Sequence, residues 1–275
     1  MLRIDHERKT DFGLILSDNI IDRDMVKGML DNPHRKKFFN PLEHGEKATQ
    51  DLQRLRESWA AQGLTTVFTS GVFDIMHLNH EAFLLQVKLE AAPIHFSRFH
   101  AGILAPTWED LPDEEKRNYC LRLLQRGDLK LIVSVDGDAA VSVRKKDKGG
   151  GDRPIYSWQT RASDVLRFTA ETEPGTFSAV VDAVTIHDDQ APALQDTPHE
   201  NILPIGEFLQ PDVWSVYCES QDILYELQGG RANEFPNTQV VVMSPYEYYT
   251  DANLGGKFST TKIATRLGGT AVSRL

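Results

Sequence analysis

The segment LKLIVSVD at 129–136 constrains the fold most, because it is a nearly unbroken apolar run rich in β-branched residues. A strand of that kind is buried on both faces, which happens where helices cover both sides of a parallel sheet. Comparable strand patterns are TTVFTSGVFD, ending at Gly71, FSAVVDAVTI at 177–186, VWSVYC at 213–218 and TQVVVMSP at 238–245. Helical patterns lie between them. Residues 45–61 place Leu52, Leu55 and Trp59 at i, i+3 and i+7. Helices are predicted at 78–90, near 112–126 opened by Asp110 or Pro112, at 157–171 with Trp158, Val165 and Leu166 inward, and from 258 to 267. Strand and helix periods that alternate in this way predict an α/β/α sandwich with a mainly parallel sheet, whose ligands bind beyond the carboxyl ends of the strands.

Composition narrows the function classes. Forty acidic against thirty basic residues give a formal charge of −10, the wrong sign for a protein that coats nucleic acid. The two cysteines, Cys120 and Cys218, make neither a disulfide framework nor a four-ligand metal site, which fits a reducing compartment. No apolar run reaches the roughly 20 residues needed to span a bilayer. The opening MLRIDHERKTDFGLIL is charged early and has no signal-peptide core. A cytoplasmic protein without a membrane partner is expected.

The chemistry concentrates in Thr69-Ser70-Gly71-Val72-Phe73-Asp74-Ile75-Met76-His77-Leu78-Asn79-His80. A strand ends, the chain turns on a glycine, and a helix begins with two histidines three residues apart. Residues at that spacing share a helix face. Both imidazoles can therefore address one ligand beside the unpaired N–H groups of a helix N-terminus, which is a phosphate site by physics. An isolated H-x-x-H is a weak signal, and a metal site is the alternative, although no third ligand is evident nearby.

The same stretch resembles the nucleotidyltransferase signature T-x-G-x-F-D-x-x-H-x-G-H through Thr69, Gly71, Phe73, Asp74, His77 and His80, with Leu84 and Lys88 following. Asn79 stands where the family has a glycine that lets the nucleotide lie against the backbone. Asparagine tolerates left-handed geometry, but its side chain narrows the pocket. The segment 131–161 resembles bacterial heptose-phosphate adenylyltransferases, with a basic glycine-rich loop RKKDKGGGDR at 144–153 and then Arg153, Pro154, Ile155 and Arg161. Pro211, Asp212 and Val213 resemble the family's K-P-D-V, but Ser215, Val216 and Tyr217 replace the lysine-glycine-acid that normally follows. FSTTKIATRL resembles its C-terminal S-T-T motif through Ser259, Thr260, Thr261, Ile263 and Arg266.

The resemblance covers about 64–267 and implies a Rossmann-like nucleotidyltransferase domain at 62–275, with an insertion near 91–127 and an N-terminal helical extension at 1–61. It implies transfer of a nucleoside monophosphate from ATP, or from CTP as in glycerol-phosphate cytidylyltransferases, to a small phosphorylated acceptor such as a sugar phosphate. His77, His80 and Lys148 (or Lys146) are the implied catalytic groups. Thr69, Gly71, Phe73, Asp74, Asn79, Arg161, Ser259, Thr260 and Thr261 are implied to bind nucleotide, and Lys88 and Arg153 substrate. Mg²⁺ would be held by the phosphates and water, with no protein cage for it. A nucleotide- or sugar-phosphate-binding module of the same fold without turnover is the alternative. The insertion offers either an acceptor pocket or a contact between copies of the chain in a homo-oligomer. Asp182 reads as structural.

Overall fold

The structure, a computed structural model, describes residues 37–39, 46–100, 102, 106–145, 153–187, 205, 209–217, 237–243, 250–251 and 256–257. In chain order the first elements are β1 (Lys37–Phe39), α1 (Glu46–Ala61), β2 (Thr65–Gly71), α2 (Leu78–Leu89), α3 (Ala92–His100) and α4 (Asp113–Arg126). Then follow β3 (Leu129–Asp136), α5 (Asp138–Lys145), α6 (Trp158–Arg167), β4 (Thr169–Glu173), β5 (Thr176–Ala179) and β6 (Ala183–His187). The last are β7 (Val213–Tyr217), β8 (Gln239–Met243) and the short strands β9 (Thr250–Asp251) and β10 (Gly256–Lys257).

Six strands form one sheet in the order β1-β6-β3-β2-β7-β8, and every pairing in it is parallel. Side chains alternate across it as the pleat requires. Val67, Leu131, Val133, Val184 and Val213 join a core with Leu84 and Val87 of α2, Leu123 and Leu124 of α4 and Val165 of α6. Their neighbours Phe68, Ile132, Ala183 and Trp214 face the other way, onto Leu52, Leu55 and Trp59 of α1. The α/β/α sandwich expected from the strand and helix periods is therefore present, with α1 supplying cover for the second face. Among the described residues no helix is long and apolar enough to cross a membrane.

Strand order reverses direction beside β2: β3 and β6 follow on one side, β7 and β8 on the other. The β2–β3 ladder runs from Thr65↔Leu129 to Gly71↔Val135, whereas β2 and β7 pair only at Val67↔Val213 and Phe68↔Trp214. Beyond that point Thr69 Oγ1 donates to the Ser215 carbonyl at 2.9 Å. The carboxyl ends of these two strands thus mark the topological switch point, where open α/β sheets bind ligands.

Two local expectations differ from what forms. The helix expected over 157–171 ends at Arg167, and the strand expected over 177–186 divides into β5 and β6. The cause is Pro174-Gly175: proline fixes the first turn position, and Gly175 supplies the left-handed φ of 76° that follows. The result is the antiparallel β4–β5 hairpin. Helix α5 also extends to Lys145, two residues into the segment read as a loop from 144.

The amino edge of the switch point is fastened by Asp212. Its Oδ2 accepts from the Thr66 amide at 2.7 Å and from Thr66 Oγ1 at 2.8 Å, and its Oδ1 accepts from Arg98 of α3. Burial alone would raise the Asp212 pKa, but the bonds from Thr66 and Arg98 outweigh it and hold the carboxyl below its ordinary range. A depressed folded pKa stabilises the fold above the unfolded value and is lost as pH falls through the folded one. Asp212→Asn is therefore expected to cost about 1–2 kcal/mol at neutral pH, with the gap from wild type closing as pH drops below about 4. Urea midpoints measured between pH 7 and pH 3 check this, and a gap that stays constant refutes it.

Candidate functional site

Gly71 is the last residue of β2, and the turn leaves no room for anything larger. A Cβ there would sit 2.9 Å from the ring of Phe73. Phe73 itself takes a left-handed φ of 47°, a conformation that costs an L-residue roughly 1–2 kcal/mol. Burial of its ring in the main core offsets that cost. The ring then meets His80 edge-on, with centroids 5.4 Å apart and planes at 70°.

His77 occupies the N-cap position of α2 in an extended conformation (φ −151°, ψ 167°), and its side chain makes no capping bond. Its carbonyl accepts from the His80 and Glu81 amides at 2.8 and 3.1 Å. This first turn brings the two imidazoles face to face, with centroids 3.8 Å apart and planes 20° from parallel. Both side chains are half-buried. Asn79, between them, is helical and buried, so left-handed geometry plays no part at that position. Glu81 joins them in the first turn, and burial pushes its carboxyl above the usual carboxylate range. Its only mark in the sequence is an acidic residue near a helix start.

A second layer locks the turn from behind. Asp74 is buried, and its carboxylate accepts from Arg153 Nε, from the Ile155 amide at 2.8 Å and from the Tyr156 amide at 3.0 Å. Arg153 is buried as well, and among the described residues its Nη1 has no hydrogen-bond partner. A buried guanidinium N–H without an acceptor is costly, and an anion's oxygen is the partner it suits. Ser215 Oγ on β7 is likewise buried without a hydrogen-bond partner among the described residues.

Other residues singled out in the sequence are committed to protein contacts. The buried Thr69 donates its hydroxyl to Ser215 across the strand gap. Arg161 is 0% exposed and bonds to Val72, Asp136, Asp138 and Tyr156. Lys88 is 1% exposed, with its ammonium 2.8 Å from both Asp182 Oδ2 and the Ala179 carbonyl. It lies eleven residues beyond His77, about 16 Å along the helix. Thus Phe73, His77 and His80 form one contact group, Asp74 and Arg153 another, and Lys88 stands at the opposite end of α2. Lys146, Lys148, Ser259, Thr260 and Thr261 lie outside the described residues. Among the described residues no group of three or more His, Cys, Asp or Glu is arranged to hold a metal ion, and the metal alternative for the histidine pair finds no third ligand there.

No family model matches the chain, and no curated protein matches it. One similar solved structure is that of the lipopolysaccharide core biosynthesis protein from Thermoplasma volcanium GSS1, at 18% identity and a TM-score of 0.35. The match covers 66% of this chain and 98% of that one.

Proposed function

We propose that the chain is a nucleotidyltransferase that moves a nucleoside monophosphate from a nucleoside triphosphate to a small phosphorylated acceptor. The observation that carries this reading is the stacked His77–His80 pair at the start of α2, beside the sheet's switch point. An acceptor oxygen attacks the α-phosphorus in line. The new P–O bond forms as the bond to the β-phosphate breaks, and pyrophosphate leaves with that bond's electron pair. Negative charge shifts onto the phosphate oxygens in flight, so catalysis is positioning and charge stabilisation.

In this reading His77 and His80 donate imidazole N–H bonds to α- and β-phosphate oxygens. The unpaired Nη1 of Arg153 takes a further phosphate oxygen. Lys148, or Lys146, and the hydroxyls of Ser259, Thr260 and Thr261 complete the phosphate site by resemblance. Asp74, Thr69 and Phe73 shape the turn rather than touch the nucleotide. Mg²⁺ accompanies the triphosphate, held by phosphate oxygens and water. Asp74 already accepts from three protein donors, which favours leaving the ion on the substrate. The chemistry that Mg²⁺ would supply there is neutralising charge for the leaving pyrophosphate.

ATP is the first candidate and CTP the second. A thermal-shift screen of ATP, CTP, GTP and UTP with Mg²⁺, followed by pyrophosphate release with a panel of sugar phosphates, tests the proposal. A ligand present at a hundred times its Kd stabilises by about 2.7 kcal/mol, so one triphosphate is expected to raise the melting point by several degrees. Binding without release under any acceptor would favour the non-catalytic module, with Asn79 filling the place of the family glycine. No shift with any triphosphate refutes the transferase and a nucleotide-binding module, and no shift with a sugar phosphate either refutes the module altogether.

A further inference from the structure

We infer that Arg161 is a positioning residue that sets the orientation of the histidine pair through the β2–α2 turn. Its guanidinium donates from Nε to the Tyr156 carbonyl at 3.0 Å, from Nη1 to the Val72 carbonyl at 2.6 Å, and from Nη2 to the Asp136 carbonyl and Asp138 Oδ1, both at 2.7 Å. Those acceptors belong to four segments: the loop before α6, the turn after β2, the last residue of β3 and the first residue of α5. All of them stand at the carboxyl edge of the sheet. Arg161 is the largest fully buried side chain of the described residues.

The bond to Val72 is the one that reaches the site. Val72 precedes Phe73, whose left-handed backbone and edge-on contact with His80 leave its ring little freedom. His80 in turn stacks on His77. One peptide unit therefore separates the guanidinium's acceptor from the ring that braces the imidazoles. Asp74 grips the same 153–157 loop from the other direction, through the Ile155 and Tyr156 amides. The turn is held from both sides by groups that touch nothing in the proposed reaction.

The chemistry favours positioning over simple adhesion. A buried charge is an inefficient source of stability, since well-packed apolar residues in its place often stabilise as well or better. What the planar guanidinium adds is several donors in a fixed fork, here spent mostly on main-chain carbonyls. Lysine at 161 would keep the charge opposite Asp138 but could not reach Val72, Asp136 and Tyr156 together.

The test uses Arg161→Lys and Arg161→Ala in the full chain. The imidazole NMR cross-peaks of His77 and His80, assigned with His77→Gln and His80→Gln, are expected to move in both variants. Those of His95, bonded to Tyr119 in α3–α4, are expected to stay. If the nucleotidyltransferase reading holds, kcat drops about tenfold to a hundredfold, as for an ångström-scale misplacement, while KM changes less than threefold. Methylguanidinium is expected to restore part of kcat in Arg161→Ala. Folded Arg161→Lys with unmoved His77 and His80 signals overturns the inference. So does failure of both variants to fold, because the clasp would then serve the fold as a whole. The spectroscopic arm does not depend on the reaction. Moved signals in a protein that never releases pyrophosphate would refute the proposed function and leave the positioning role standing.

Discussion

Lys88→Met is expected to destabilise the protein by about 3 kcal/mol, the low end of the range for removing one partner of a buried ion pair. The ammonium is 1% exposed and bonds to Asp182 Oδ2 and the Ala179 carbonyl. Burial pulls its pKa below the ordinary lysine range, against the opposing pull of Asp182. Methionine fills the space without supplying a donor, so Asp182 and Ala179 are left short. The loss stays near the low end because Asp182 keeps Lys130 at 3.2 Å and the Leu131 amide at 2.9 Å. Lys130→Met is the control. That side chain is 20% exposed and its pair longer, so its removal is expected to cost less than about 1 kcal/mol. Urea unfolding with unchanged m-values reads both. Equal losses for the two lysines would mean that burial does not set the strength of this junction.

If the nucleotidyltransferase reading holds, His80→Ala is expected to lower pyrophosphate release by about a hundredfold to a thousandfold, the usual cost of deleting one donor to a developing charge. Nucleotide binding should weaken less, because the helix N-terminus and Arg153 remain. Stability should fall by only about 1 kcal/mol, since the ring is half-buried and its loss removes contacts with Phe73 and His77. His77→Ala should behave alike. With the rings 3.8 Å apart, the double variant should be no worse than the stronger single one, as for groups that act as a unit. Steady-state rates across the three variants decide the matter. A folded His80→Ala enzyme with normal turnover removes that imidazole from the mechanism.

The sheet was legible where its residues leave one option. LKLIVSVD became β3 with the expected bounds, and Leu52, Leu55 and Trp59 pack one face of the sheet as their spacing implied. The hairpin at 169–179 was hidden, although Pro174-Gly175 is a turn signal, because the apolar residues on either side also suit longer elements. Within the candidate site, the positions of His77 and His80 followed from the strand–glycine–helix setting. The commitments of Thr69, Asp74, Arg161 and Lys88 did not. A charged residue in a string carries no mark of which way it faces. Lys88 did carry a clue: Leu84 and Leu85 lie four and three residues before it, on its own helix face, and both are buried. Its partner Asp182 is 94 residues away and shows itself only in three dimensions.

The short ladder between β2 and β7 gives the sheet a seam. Two paired positions join halves that are elsewhere stitched by ladders of three, five and seven. Asp212 and Thr66 rivet the seam at its base, and Thr69 adds a single crosslink above. The seam is therefore fastened at its amino end and least paired toward the strand tips that lead to the imidazoles. Whatever lodges between those strand tips bridges the two halves, so occupancy there becomes a mechanical brace as well as a chemical event.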